Sequence, residues 1–154
     1  MDYIKKSTKG FSLLELTLAI ALFMIFVAGL GATAIGGHLT GLENAKMAKA
    51  NALIMESWEA VMAIRNNNWS DLANGTHGLS ALSGYWEFSG MSDLSDGFTR
   101  VITVGDVRRD DLSNIVSSGA EIDPDTKLIA FDLSWEPSSG QLRSLHFESY
   151  LTNY

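Results

Sequence analysis

Three lysines, a glycine and one glutamate near the N-terminus are the residues whose placement could do chemistry. Lys5, Lys6 and Lys9 precede Gly10 and Phe11, and Glu15 follows at the mouth of an apolar run. From Leu16 to Leu42 there is no Asp, Glu, Lys or Arg. A carboxylate at the start of a membrane-length segment costs several kcal/mol if unpaired, and an opposite charge close by offsets much of that. Glu15 is therefore a candidate for pairing with a cation. The alternative is a charge that snorkels to the interface from a helix end.

Other groupings carry less. The histidines are His38, among glycines, His77, in a polar stretch, and His146, near the C-terminus. Their spacing matches no zinc motif. With no cysteine in the chain, disulfides, thiolate metal sites and cysteine nucleophiles are excluded. Ser, His and Asp occur without a nucleophile-elbow pattern, so catalysis is not expected. The oxygen-rich segments Asp93–Asp96 and Asp123–Asp125 do not have EF-hand spacing. Asp123-Pro124-Asp125-Thr126 reads as a turn feeding a strand. No metal or cofactor is expected. Asn68-Trp69-Ser70 and Asn74-Gly75-Thr76 match a glycosylation sequon, a motif short enough to arise by chance.

The elements that must position Glu15 follow from patterning. Residues 1–10 read as a leader, too short and too charged for an ordinary secretory signal. Roughly 20 apolar residues cross a bilayer core as a helix, and Leu16 to Gly36 suffices. The lysines lie on its N-terminal side, so the leader is expected in the cytoplasm and the C-terminal part outside. Gly29, Gly31, Gly36, Gly37 and Gly41 interrupt the second half of this segment. They suit either close helix packing through small residues or a segment able to unwind. From Glu43 to Arg65 the pattern turns amphipathic, with Met47, Ala50, Ile54, Trp58 and Val61 at helical steps. No proline occurs before Pro124, so one helix from Ser12 to Arg65 is predicted. Asn66-Asn67-Asn68 should end it, through asparagine's tolerance of the left-handed conformation.

After a polar connection over 70–83 the signals become β. Tyr85–Phe88 is a short aromatic run, and Phe98–Val104 is β-branched. In Leu128–Trp135, Ile129, Phe131, Leu133 and Trp135 alternate with smaller or polar residues. Pro137-Ser138-Ser139-Gly140 is a turn, and Leu142–Leu151 completes an antiparallel hairpin. Residues 110–125 look like a long loop. Trp58, Trp69, Trp86 and Trp135 are read as core, with Trp69 or Trp86 a candidate subunit contact if exposed. The 154 residues carry a net charge of −7. Removal of residues 1–10, with three lysines and one aspartate, takes this to −9. Such a surface disfavours binding to a phosphate backbone. Arg108 and Arg109 form a local basic patch among Asp106, Asp110 and Asp111.

The segment Gly10-Phe11-Ser12-Leu13-Leu14-Glu15, with Lys5, Lys6 and Lys9 before it and the uncharged run behind it, resembles the N-terminus of the type IV pilin superfamily. That superfamily includes the pseudopilins of type II secretion. The resemblance is specific over residues 5–37, and it implies an α+β, pilin-like fold. A long N-terminal helix, apolar in its first half and amphipathic in its second, would pack on a small antiparallel sheet. The implied organisation is a leader over 1–10, a membrane and filament-core helix over 11–42, and an amphipathic half-helix with a β head over 43–154.

The resemblance further implies cleavage after Gly10 and methylation of the new Phe11 amine, both by a prepilin peptidase/N-methyltransferase. Glycine lets the backbone enter a narrow cleft, and the lysines hold the scissile bond at the cytoplasmic face. Glu15 would meet the terminal amine of a neighbouring subunit during assembly. Expected partners are other pilin or pseudopilin subunits, an assembly platform protein and the cytoplasmic membrane, with no nucleic acid. The implied role is a non-enzymatic, minor subunit of a type IV pilus or type II pseudopilus. It would reside in the inner membrane and then in an extracytoplasmic filament. Two departures are the missing cysteine pair, which many pilins carry, and the missing proline that often follows this stretch in major pilins. The rivals are a signal-anchored membrane protein with a ligand-binding outer domain, and an adhesive or DNA-uptake pilin.

Overall fold

The computed structural model describes residues 12–82, 84–137 and 140–153. Among the described residues one helix, α1 (Leu13–Asn67, 55 residues), is followed by a single 3-10 turn, Trp69–Asp71. Seven strands come next: β1 (Gly75–Ser80), β2 (Glu87–Ser89), β3 (Asp93–Ser95), β4 (Phe98–Arg109), β5 (Ile115–Val116), β6 (Glu121–Trp135) and β7 (Arg143–Thr152). They form one antiparallel sheet in the order β2-β1-β4-β6-β7, with β3 and β5 also paired to β4. This is the α+β, pilin-like architecture that the resemblance implies. The chain divides into two compact units, Met1–Asn44 and Ala45–Tyr154.

In the second unit α1 buries Ala50, Leu53, Ile54, Ser57, Ala60, Val61 and Ile64. The i, i+3, i+4 and i+7 steps put these on one stripe. The stripe is turned from the expected one: Met47 is exposed and Trp58 only partly buried. The small residues Ala50, Ser57 and Ala60 are fully buried, and Trp58 meets Phe131 edge-on, centroids 6.1 Å apart. The sheet contributes Phe98, Ile102, Val104, Ile129, Phe131, Leu133, Trp135 and Leu151 to this core. The alternation expected over 128–135 holds, and the hairpin partner registers Phe131 against Phe147 and Leu133 against Leu145. At its turn, Gly140 donates to the Pro137 carbonyl (3.0 Å) at φ 77°, a conformation natural to glycine.

Buried among these apolar groups is Arg100 of β4, only 3% exposed. Its Nε and Nη2 donate to both carboxylate oxygens of Asp93 (2.7–3.2 Å), and its Nη1 donates to Glu56 Oε1 (3.1 Å) and Ser57 Oγ (3.2 Å). Asp93 Oδ1 also accepts from the Leu79 backbone (2.9 Å). One guanidinium thus ties the helix to β3 and β4, and through Asp93 to β1. Two lysines add surface fastenings. Lys46 donates to the Glu136 carbonyl (3.1 Å), and Lys49 pairs with Asp96 (2.6 Å).

Three expectations need correction. The polar connection over 70–83 contains β1, whose Gly-Thr-His-Gly-Leu-Ser lacks apolar alternation but pairs with both β2 and β4. Gly78 permits this, because a Cβ there would lie 2.4 Å from the Ser92 carbonyl carbon. Residues 110–125 are not one long loop: β5 and the start of β6 lie within them. Pro124 hid this strand, and it falls in a bulge, between the pairs Asp106–Lys127 and Val107–Asp123, where no ladder N–H is needed. The helix does not end through a left-handed asparagine. Asn68 is extended (φ −162°), and its side chain accepts from the Ser70 backbone N–H (3.2 Å), starting the 3-10 turn.

The C-terminus is held without covalent links. Asn153 donates its backbone N–H to the Asp125 carbonyl (2.8 Å), and Arg65 of α1 donates to the Thr152 carbonyl (3.3 Å). Trp69 Nε1 donates to the Pro124 carbonyl (3.1 Å).

Candidate processing and assembly site

Lys5, Lys6, Lys9, Gly10 and Phe11 lie outside the described residues. Ser12 and Glu15 lie within them and form a defined structure. The Ser12 backbone N–H donates to Glu15 Oε2 (3.0 Å), while the Ser12 carbonyl accepts the first helical bond, from Leu16 N–H (3.1 Å). Ser12-Leu13-Leu14-Glu15 is the S-x-x-E capping box, in which the glutamate reaches back to a donor at the helix start. Glu15 also sits in the first turn of α1, where the helix dipole favours a negative charge. The carboxylate is thus committed to its own helix N-terminus within a single chain. The reading of charge pairing from sequence missed this bond, although the serine three residues before the glutamate signals it.

Behind Glu15, every residue from Ser12 to Leu42 is exposed. The large side chains among them include Leu14, Leu18, Phe23, Met24, Ile25 and Phe26, each more than half exposed. A helix apolar around its whole circumference needs a lipid or protein environment to cover it, and this one is long and apolar enough to cross a membrane. At Gly29, Gly31, Gly36, Gly37 and Gly41 an added Cβ would meet nothing within 4 Å. No packing among the described residues demands these glycines. The polar groups of the segment are satisfied locally: Thr33 Oγ1 donates to the Gly29 and Leu30 carbonyls (3.2 and 2.9 Å), and Thr40 Oγ1 to Gly36 (2.9 Å).

The remaining sequence candidates are dispersed or already engaged. His38 lies on α1. His77 Nε2 donates to the Ala73 carbonyl (2.8 Å), and the ring stacks on Phe88. His146 Nδ1 lies 2.7 Å from Asp132 Oδ1. Asp132, then Glu148, raises the His146 pKa above its ordinary value. Among the described residues no three His, Asp or Glu side chains group as a metal site. In the acidic segments, Asp93 is bound to Arg100, Lys49 holds the Asp96 carboxyl below its usual range, and Arg109, with help from Thr126, pulls Asp123 down to about 2. Arg108 and Arg109 are not a free basic patch, since they hold the Ala120 carbonyl (2.7 Å) and Asp123 (2.6 Å). Trp69 and Trp86 are both partly buried and pack on the core.

Residues 5–31 match the prokaryotic N-terminal methylation motif, the leader signature of type IV pilin-like prepilins. No curated protein and no solved structure matches the chain. The motif marks a type IV pilin or pseudopilin-type precursor, and the proteins that carry it are structural and membrane-anchored before assembly.

Proposed function

We propose that this chain, bearing the prepilin leader signature, is a non-enzymatic and minor subunit of a type IV pilus or type II pseudopilus. A membrane peptidase cuts after Gly10, with Lys5, Lys6 and Lys9 holding the bond at the cytoplasmic face, and methylates the Phe11 amine. The subunit waits in the inner membrane, leader side inward, with its β head outside. A platform protein and an ATPase, both separate chains, then drive it into a filament near the tip, without nucleic acid.

The observation that carries this reading is the conjunction of the motif over residues 5–31 with a helix wholly exposed from Ser12 to Leu42. That surface must be covered first by lipid and then by other subunits. Glycines that serve no packing within the chain support close approach of neighbouring helices. The capping bond gives Glu15 a resting partner. On assembly the carboxylate is handed to the terminal amine of the neighbour, so a wrong register leaves the amine unpaired.

The test is quantitative mass spectrometry of filaments sheared from the native organism. The expected result is an N-terminal peptide beginning at methylated Phe11, present in trace amounts. An abundant peptide would make this a major subunit. Protein intact from Met1, present in the membrane and absent from filaments, would replace this reading with the signal-anchored one.

A further inference from the structure

β7 ends the sheet. Among the described residues it pairs with β6 on one side and with no strand on the other. Two bonds fix which of its backbone groups face the open side. Continuing the register from the pair Thr126–Thr152 sets Asn153 opposite Asp125, and the Asn153 N–H donates to that carbonyl, so Asn153 points at β6. The N–H and C=O of one residue share a side, and successive residues alternate. Thr152 must then point outward, and its carbonyl is taken by Arg65 (3.3 Å). The register runs without a shift from Arg143 to Thr152. The open edge therefore presents the N–H and C=O of Ser144, His146, Glu148 and Tyr150, and Arg65 closes its far end.

Native sheets blunt such an edge with proline, lysine, a bulge or brevity. At the other end of the sheet β2 is only three residues long. β7 has ten residues, with no proline, glycine or lysine among them and no bulge. Its two faces differ in chemistry. On the side of α1, Leu145 is half-buried and Phe147 is 44% exposed. The Phe147 ring ends a row that runs from Trp58 through Phe131, centroids 6.1 and 6.0 Å apart, and has no cover at the edge. On the other face His146 stands between Asp132 (2.7 Å) and Glu148 (3.7 Å). Two carboxylates share one imidazole, so this strip stays negative even when His146 is protonated.

Only an extended backbone repeats donors and acceptors at the two-residue spacing of this edge, about 6.6–6.8 Å. A second copy of β7 does not fit. Two such edges close a symmetric dimer only with the strands antiparallel, about a two-fold axis perpendicular to the sheet, since an axis along the strands would turn facing side chains to opposite sides. The stretch of α1 on the sheet runs in the direction of β7: Lys46 meets Glu136, beside the start of β7, and Arg65 meets its end. In the dimer these helices would run in opposite directions, whereas chains anchored through α1 in one membrane carry them in the same direction. We infer that the open edge of β7 receives an extended segment of a different protein chain, which adds a strand to the sheet over Ser144–Tyr150. Its alternate residues are apolar, covering Leu145 and Phe147, and basic, facing the strip of Asp132, His146 and Glu148. The exclusion of a second copy rests on the membrane-anchored reading.

The experiment is amide hydrogen exchange by NMR of the ¹⁵N-labelled full chain in detergent micelles. The probe is the heptapeptide N-acetyl-Lys-Val-Lys-Val-Lys-Val-Lys-amide, long enough to span Ser144–Tyr150. One control is the same peptide N-methylated at its two central lysines, which cannot donate to the edge. The other is N-acetyl-Lys-Lys-Lys-Lys-Val-Val-Val-amide, equal in charge without the alternation. The expected result is that the alternating peptide alone slows exchange at His146 and Glu148 at least about tenfold, the protection given by a ligand at about ten times its Kd. His146→Pro should abolish the slowing at Glu148 while keeping the ladder to β6, because the N–H it removes points outward. Unchanged resonances elsewhere would show that this variant is folded, and Phe147→Lys, an inward-pointing charge on the edge, serves if it is not. No slowing, equal slowing by either control peptide, or undiminished slowing in the variant would each overturn the proposal. So would protection of His146 and Glu148 without peptide alongside a doubled mass by light scattering, which would put a second copy on the edge. Processing at Phe11, scored separately by mass spectrometry, distinguishes failure of the anchored reading from failure of this one.

Discussion

Replacing Arg100 by alanine should unfasten the helix from the sheet, and the cost can be worked from the geometry. Arg100 is 3% exposed, and burial alone would lower its pKa, but hydrogen bonds and charge from Asp93, then Glu56, outweigh this and raise it. The substitution leaves the Asp93 carboxylate, 17% exposed, with only the Leu79 N–H. Breaking a buried pair by removing one partner costs about 3–5 kcal/mol. The Glu56 arm is different: its side chain is 44% exposed, so Glu56→Ala should cost about 0–1 kcal/mol. At about 2–8 °C per kcal/mol for domains bracketing this size, Arg100→Ala should lower the midpoint by at least 6 °C. The assay is thermal and urea unfolding of the full chain in micelles, followed by the fluorescence of core residues Trp58 and Trp135. In a double-mutant cycle, Arg100→Ala and Asp93→Ala together should cost less than their sum by at least about 2 kcal/mol. A loss under about 1 kcal/mol for Arg100→Ala, or strict additivity, would refute the view that this pair holds the head together.

Gly10→Asp or Gly10→Lys should leave the precursor uncut on an immunoblot, whereas Glu15→Ala should be cut yet enter filaments poorly; a mature band from the first or normal incorporation of the second contradicts the assigned roles. His146 is raised by its carboxylate neighbours, so its stabilising contribution is complete below the ordinary value of 6.5 and fades as pH rises through the raised value. Urea midpoints of the wild type should therefore fall through that window more than those of His146→Gln, and parallel profiles would dismiss the effect. Gly36→Ala/Gly37→Ala should stabilise the helix by about 1 kcal/mol per site while reducing filament incorporation; full incorporation alongside the expected gain in helicity by circular dichroism would show that these glycines are not needed for assembly.

The long helix was legible because two signals coincide along it: an uncharged run, then apolar residues at helical steps, with no proline to interrupt either. The β6–β7 hairpin was legible because Ile129, Phe131, Leu133 and Trp135 alternate cleanly. β1 was not, since a strand of Gly, Thr, His and Ser is specified by its two neighbours and by the close approach at Gly78 rather than by its own pattern. The start of β6 was masked by Asp123-Pro124-Asp125, a turn signal absorbed into a bulge. At the candidate site Glu15 stood out by its charge, but its partner did not, because that partner is a backbone N–H. The aromatic run at Tyr85–Phe88 was visible as a strand signal, but its place beside the helix end depends on long-range packing.

The way the C-terminus is held has a consequence for how this head comes to be folded. β7 is the last strand, supplies Leu151 to the core, and is met by Arg65 from the far end of the helix, 87 residues earlier. None of these contacts exists until residues 143–152 are available, and no cysteine can lock an incomplete arrangement. Loop closure over such a separation is a cost settled only when the last strand docks. A head that crosses a membrane helix side first would therefore stay open until residues 143–152 have crossed. It would then close without any oxidant, in a reducing medium as readily as in an oxidising one.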